Sequence, residues 1–278
     1  MSEHLAPSFF IIGERKCGTS SLYRYLLEHP AVLPGSRKEM QFFTKGPAHV
    51  KENWEAYLRE FPKVRGEGQV ALDWPELDDK GLLYEERLDF ERAASVHYIT
   101  GEASADTFCD GSPELLQEHL PELSLVVLLR DPSLRAFSHH RMFRRFQNEG
   151  RDLGFAVGDF AEDMRAEMKR AAQGESTPCL TPSVYAPNLE RWQNVWGQQL
   201  LVLFSSDLDE AVGFPKTMAR TLAHVGLPAH SYELAQRYNQ APAAAIPTEI
   251  HRELQAYFAP HDRDLAALLG RKLPWQQS

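Results

Sequence analysis

Residues 9–23 read FFIIGERKCGTSSLY, an apolar run, then a glycine-bounded loop with a lysine, then a helix start. That order builds a phosphate cradle. The strand delivers the loop, backbone N–H groups ring the anion, and the helix N-terminus adds a favourable dipole. The spacing Gly13-x4-Gly18 matches a phosphate loop, but loops that hold Mg-bound nucleoside triphosphates place lysine directly after the second glycine, followed by Ser/Thr. Here Lys16 precedes Gly18, and Thr19 stands where that lysine would be. The residues fit a phosphate better than a magnesium-bound triphosphate. Arg15, Lys16, Cys17, Gly18, Thr19, Ser20 and Ser21 are the candidate ligand-binding set. Cys17 has two readings: a reactive thiol, or a small side chain filling a tight turn.

A second anion grip follows the apolar run Leu123–Leu129, which ends in Arg130-Asp131-Pro132. A guanidinium at a strand's carboxyl end can hold a phosphate bidentately. Ser138, in the helix beyond, can donate to the same anion. The competing reading is an Arg–Asp surface pair with Asp131 or Ser133 capping the helix. Two anion grips on neighbouring strand ends suit a nucleotide with phosphates on both its 5′ and 3′ positions. Arg141, Arg144 and Arg145 lie at helical spacing with Met142, Phe143 and Phe146 between them. They read as a solvated face over an apolar stripe, or as a basic rim for an anionic acceptor or carrier partner.

These residues need a scaffold. Strands are expected at Ser8–Ile12, Val70–Leu72, Val96–Ile99, Leu123–Leu129 and Leu200–Phe204. Helices are expected at Ser21–Glu28, Ser133–Phe146, Phe155–Ala172, Asn188–Trp196, Pro215–Val225 and Thr248–Leu269. Apolar strands alternating with helices predict an α/β fold, a P-loop-like parallel β-sheet with helices on both faces. Ligands then bind at the carboxyl ends of the strands, where the loop lies. The whole chain, 1–278, reads as one domain without repeats. Residues 62–100, with acidic Asp73–Asp79 and Tyr84–Arg92, read as an acceptor-side insertion, and 174–187 as a surface loop. Gln240–Pro247 is irregular.

At 278 residues with a net charge of -9, the chain disfavours nucleic acid or another polyanion as default partner. Its three cysteines, Cys17, Cys109 and Cys179, form neither a disulfide framework nor a zinc pattern. MSEHLAPSFFII lacks a signal peptide's basic start and a membrane-length apolar run, so a reduced, cytoplasmic protein is expected.

Together, IIGERKCGTSSLYRYLLEHP (11–30) and VVLLRDPSLRAFSHH (126–140) resemble the 5′-phosphosulfate loop and 3′-phosphate motif of sulfotransferases that use 3′-phosphoadenosine 5′-phosphosulfate (PAPS). The resemblance is to the heparan sulfate sulfotransferase branch and its bacterial members. KEMQFF (38–43) is similar to the family segment carrying a catalytic glutamate, and GEAS (101–104) to its GE-x-S/T segment. Tyr185, Leu189, Trp192 and Leu265–Trp275 are similar to later, less specific landmarks. The resemblance implies sulfuryl transfer from PAPS to a hydroxyl, releasing PAP, without a metal. It implies Lys16 at the bridging oxygen, Thr19, Ser20 and the loop amides on the 5′-phosphate, and Arg130 with Ser138 on the 3′-phosphate. Glu39 becomes the candidate general base; without the resemblance it reads as a surface Glu beside Lys38 and Arg37. His97, His139 and His140 are rival bases, with His140 ahead because it follows the 3′-phosphate motif.

Ala103 stands where many glycosaminoglycan-modifying members carry lysine, which disfavours a heparan-type acceptor. A lipid, a secondary metabolite, a saccharide or a carrier-tethered hydroxyacyl group are the acceptors considered. Two other classes stay open: a P-loop kinase or hydrolase, and a PAP-binding module without catalysis.

Overall fold

The computed structural model describes residues 4–65, 69–71, 97–208, 213–232 and 245–276. The expected features at Asp73–Asp79 and Tyr84–Arg92, and residues 240–244, lie outside these.

The chain is organised by a five-stranded sheet in the order β2-β5-β1-β6-β7. Its strands are β1 (Phe9–Gly13), β2 (Val32–Leu33), β5 (Ile99–Ala103), β6 (Ser124–Leu129) and β7 (Leu200–Phe204), all paired in parallel. The remaining strands, β3 (Lys63–Arg65) and β4 (Gln69–Ala71), form a separate antiparallel pair. The expected strand at Val70–Leu72 therefore belongs, over its described part, to a hairpin rather than to the parallel sheet. The strand expected at Val96–Ile99 begins at Ile99 instead.

Alternation along each strand divides the interior in two. Phe10, Ile12, Leu125, Val127, Leu129, Val202 and Phe204 face one layer. There α2 (Pro47–Leu58), α4 (Pro113–His119) and α7 (Ala186–Trp196) bury Tyr57, Leu116, Leu189 and Trp192. Phe9, Ile11, Val126, Leu128 and Leu203 face the other, covered by α1 (Thr19–Glu28) and α8 (Gly213–His224). Both faces are thus closed, which is why β1 and β6 read as continuous apolar runs.

A third cluster joins α5 (Pro132–Asn148), α6 (Phe160–Ala171) and α9 (Thr248–Leu269) through Ala136, Met164, Leu254 and Phe258. The short α3 (Thr107–Asp110) follows β5. It packs so closely on β1 that a Cβ at Gly13 would lie 2.5 Å from Phe108 Cβ. Glycine is required where the strand turns into the loop.

Residues 174–187 are not a surface loop throughout. Thr177, Cys179, Leu180, Ser183 and Tyr185 are buried. The carboxylate of buried Glu167 accepts from the Cys179 and Leu180 amides at 3.0 and 2.9 Å, satisfying backbone that an interior position would otherwise strand.

Candidate active site

Parallel register sets the ends of β1, β5 and β6 side by side: Ile11 opposes Ala103, and Gly13 opposes Val127. The segments 14–18, 104–106 and 130–131 therefore leave the sheet at one edge.

The loop after β1 closes with Cys17 N donating to the Glu14 carbonyl at 3.1 Å, and α1 begins with Leu22 N on the Gly18 carbonyl at 3.1 Å. Gly18 is the N-cap with φ 100°, a left-handed conformation natural to glycine. No side chain caps α1, and its first turn holds no acidic residue. The first N–H groups of a helix have no intrahelical partner, and Thr19 and Ser20 add hydroxyls in that same turn. Lys16 also has a left-handed backbone, φ 69°. Its ammonium has no hydrogen bond or ion pair among the described residues. Burial lowers its pKa, and Arg145, Arg130 and Arg135 lower it further. A half-buried ammonium on which three guanidinium charges act favours an anion beside it.

Arg130 reaches back from β6 and donates from Nη1 to the Lys16 carbonyl at 3.1 Å, while Tyr185 donates its O–H to the Arg130 carbonyl at 2.9 Å. Asp131 is occupied elsewhere: it caps α5, accepting from Ser133 N and Leu134 N at 2.8 and 3.2 Å. The capping half of the competing reading is present, and it leaves Arg130 turned toward the loop. Ser138 is half-buried on α5, and its hydroxyl has no hydrogen bond among the described residues.

Beneath the loop lies a buried ion pair absent from the sequence reading. Arg135 Nη2 donates to Glu14 Oε1 at 2.9 Å, with side-chain exposures of 0% and 2%. Arg135 also donates to the Cys179 carbonyl at 3.0 Å, Ser183 Oγ at 2.9 Å and His139 Nδ1 at 3.2 Å. Glu14 accepts in addition from Cys109 Sγ at 2.9 Å and the Arg15 amide at 2.7 Å. Cys17 is fully buried, and burial pushes its thiol up to about 12, so it stays protonated at neutral pH. Its amide is used within the loop. The geometry favours the turn-filling reading of this cysteine over a reactive thiol.

Glu39 lies on the segment between β2 and α2, with φ 60°. Its amide donates to the Ala103 carbonyl at 2.9 Å, and its Oε2 accepts from the Ala105 amide at 2.8 Å. These contacts place an exposed carboxylate at the end of β5. Lys38 Nζ pairs with its other oxygen. Arg15 pairs with Asp106, which also accepts from Gln41 Nε2 at 2.5 Å. Behind Glu39, buried Glu102 accepts from Tyr57 O–H at 2.5 Å and from Ser104 Oγ, whose oxygen accepts from the Gln41 amide at 3.1 Å. Burial pushes Glu102 up to about 7, against the pull of those two hydrogen bonds, with the Glu39 charge adding to the rise.

The structure thus gathers Arg15, Lys16, Gly18, Thr19, Ser20, Arg130 and Glu39 around one sheet edge. His140 is placed apart, its Nε2 2.8 Å from Asp163 Oδ2 and its ring against Phe160. His97 is exposed ahead of β5. His139 is tied to the loop instead: the Arg135 nitrogen that contacts its Nδ1 also donates to Glu14.

A parallel sheet with helices on both faces, and an uncapped helix start at its carboxyl edge, is a P-loop-like α/β fold. The family model described as the sulfotransferase family matches residues 7–182, and the chain belongs to that family. Among curated proteins, the human bifunctional heparan sulfate N-deacetylase/N-sulfotransferase 3 is 27% identical over 198 residues, 67% of this chain and 18% of that protein. Mouse carbohydrate sulfotransferase 15 is 26% identical over 271 residues, 86% of this chain and 47% of that protein. The chain therefore spans about a fifth to a half of the length of these relatives. A solved sulfotransferase from Alicyclobacillus acidocaldarius shares the fold, with a TM-score of 0.67 and 24% identity over 98% of this chain and 99% of that one.

Proposed function

We propose that this chain transfers a sulfuryl group from PAPS to a hydroxyl acceptor and releases PAP. The observation that carries the reading is the Lys16 ammonium, half-buried and without an ion pair among the described residues, in the loop that leads into the uncapped start of α1. That site suits an anionic donor: the start of α1 supplies N–H groups and hydroxyls, Lys16 and Arg130 supply cations, and no acidic residue competes in the first turn of α1.

PAPS supplies the activated sulfuryl group when bound. The chain's own residues then divide the work. The α1 amides with Thr19 and Ser20 hold the 5′-phosphate, and Arg130 with Ser138 holds the 3′-phosphate. Lys16 stabilises charge at the bridging oxygen. Such aimed stabilisation is worth about 3 kcal/mol in a dry site. Glu39, its carboxylate oriented by the Ala105 amide, takes the acceptor proton. Saccharide hydroxyls are the acceptors that the carbohydrate sulfotransferase relatives support; hydroxyls of lipids, secondary metabolites and carrier-tethered hydroxyacyl groups carry the same chemistry. Among the described residues no helix is long and apolar enough to cross a membrane.

A thermal-shift titration with PAP, PAPS, ATP and ADP, with and without Mg²⁺, tests the reading. Metal-independent stabilisation by PAP well above ADP is expected. Preference for Mg-ATP would overturn it in favour of a kinase or hydrolase. PAP binding without turnover on any acceptor would favour a binding module.

A further inference from the structure

His139 holds a ring nitrogen that has no acceptor in the fold. It lies one helical turn beyond Arg135 on α5 and is 2% exposed. A guanidinium only donates, so the contact from Arg135 Nη2 makes Nδ1 the lone-pair nitrogen. The neutral ring must then carry its proton on Nε2. That Nε2–H is buried and unpartnered among the described residues, as is Arg135 Nε. Phe143 stacks on the ring at 4.2 Å and 28°, fixing its plane. Burial and the charges of Arg135, Arg15 and Lys16 bring its pKa down to about 2, so the ring stays neutral at any working pH.

A buried donor left unsatisfied is costly, and native folds rarely keep one without reason. The charges that act most strongly on this ring are the cations of Arg135, Arg15 and Lys16, while the nearby Glu14 carboxylate is committed to Arg135. An anionic oxygen is the acceptor such surroundings lack. We propose that His139 donates its Nε2–H to an oxygen of the sulfuryl group, as a fixed neutral donor beside Arg15 and Lys16. The proposal rests on the sulfotransferase reading above. A neutral donor adds a hydrogen bond without adding to the cation density that already lowers the Lys16 pKa. The same tautomer excludes His139 as the base, because its accepting nitrogen is held by Arg135.

The test compares PAP and PAPS affinities by calorimetry on the full chain, for the wild type, His139→Gln and His139→Met. PAPS carries the sulfuryl oxygens and PAP does not. His139→Met is expected to weaken PAPS about 10-fold while leaving PAP within about 2-fold, an increment of one good hydrogen bond. His139→Gln, which keeps an acceptor for Arg135 and an N–H donor, should retain most of the PAPS affinity. Equal losses for both nucleotides, or none, would overturn the proposal. Should His139→Met not fold, ¹⁵N-histidine NMR on the wild type decides. The Nε2–H tautomer should persist from about pH 5.5 to about 8.5, and Nε2 should shift with PAPS but not with PAP. An Nε2 resonance indifferent to PAPS would mean that a buried water satisfies it, and the proposal fails. A wild type that binds neither nucleotide would instead refute the proposed function itself.

Discussion

Replacing Arg135 by methionine isolates what holds the phosphate loop. The guanidinium ties Glu14 on the loop to the Cys179 carbonyl and Ser183 across the interior. Both charges of the pair are buried. Removing the cation leaves the Glu14 carboxylate, among the described residues, with the Arg15 amide and the Cys109 thiol as donors. The Cys179 carbonyl keeps its bond from Ser183 Oγ at 2.9 Å, so the loss concentrates on Glu14. Breaking one side of a buried ion pair costs about 3–5 kcal/mol. Each kcal/mol moves Tm by roughly 2–4 °C in domains of ~150–250 residues, so a drop of roughly 6–20 °C is expected. Urea unfolding without ligand measures it directly.

The partner variant gives the decisive comparison. Glu14→Gln/Arg135→Met removes both charges, and replacing a buried pair as a unit is often close to neutral. The double variant should therefore recover much of the loss, with a coupling of about 1–3 kcal/mol. If Arg135→Met costs less than about 1 kcal/mol, or if the two changes simply add, the pair does not anchor the loop and the reasoning fails.

Glu39→Gln should leave PAP affinity unchanged while turnover falls by about 10²-fold or more; near-normal turnover would remove Glu39 from the base role. Lys16→Ala should weaken donor binding and lower kcat, and unchanged PAPS affinity in calorimetry would mean the loop does not cradle the nucleotide. Glu102→Gln should change how stability depends on pH. The folded carboxyl keeps its proton up to about pH 7, against an ordinary value of 4.5, so folding binds the proton more tightly than the unfolded chain does. Stability contributed by this group is full below about 4.5, falls as pH rises to about 7, and is flat above. The Gln variant should lose that decline in a Tm-against-pH series, and a decline of unchanged size would reassign it to another group.

What was legible in the sequence follows from range. β6, β7 and α9 were readable because a run of apolar residues or a long amphipathic period is a local signal, and α9 spans Thr248–Leu269 as expected. Helix α6 starts at Phe160 rather than Phe155 because Asp159 caps it, accepting from the Ala161 and Glu162 amides. Strand β5 reads ITGEA, with a glutamate in the sheet, and its burial makes sense only once Tyr57, 45 positions away, donates to Glu102. Helix α4 has clear start signals in Ser112 and Pro113, but seven residues give too little periodicity to register. The Lys16 loop and Arg130 were local as well. The Glu14–Arg135 pair spans 121 positions, and no spacing rule reaches that far. Histidine order shows the same limit: His139 and His140 are adjacent in sequence, yet one ring bonds Arg135 and the other Asp163.

The net charge of -9 and the cationic loop are compatible because they act over different distances. Exposed charges are screened beyond about 8 Å at physiological ionic strength. The field at Lys16 is therefore set by nearby groups, of which the cations Arg145, Arg130 and Arg135 act most strongly. The one carboxylate built into the loop, Glu14, is committed to Arg135 beneath it and cannot serve Lys16 as a counter-ion. Had Glu14 faced the ammonium, the loop would be neutral and indifferent to anions. Turning that carboxylate inward both anchors the loop and leaves the positive charge for a ligand. An acidic surface then disfavours nonspecific polyanions, and under the proposed function the loop keeps its positive charge for one compact anion.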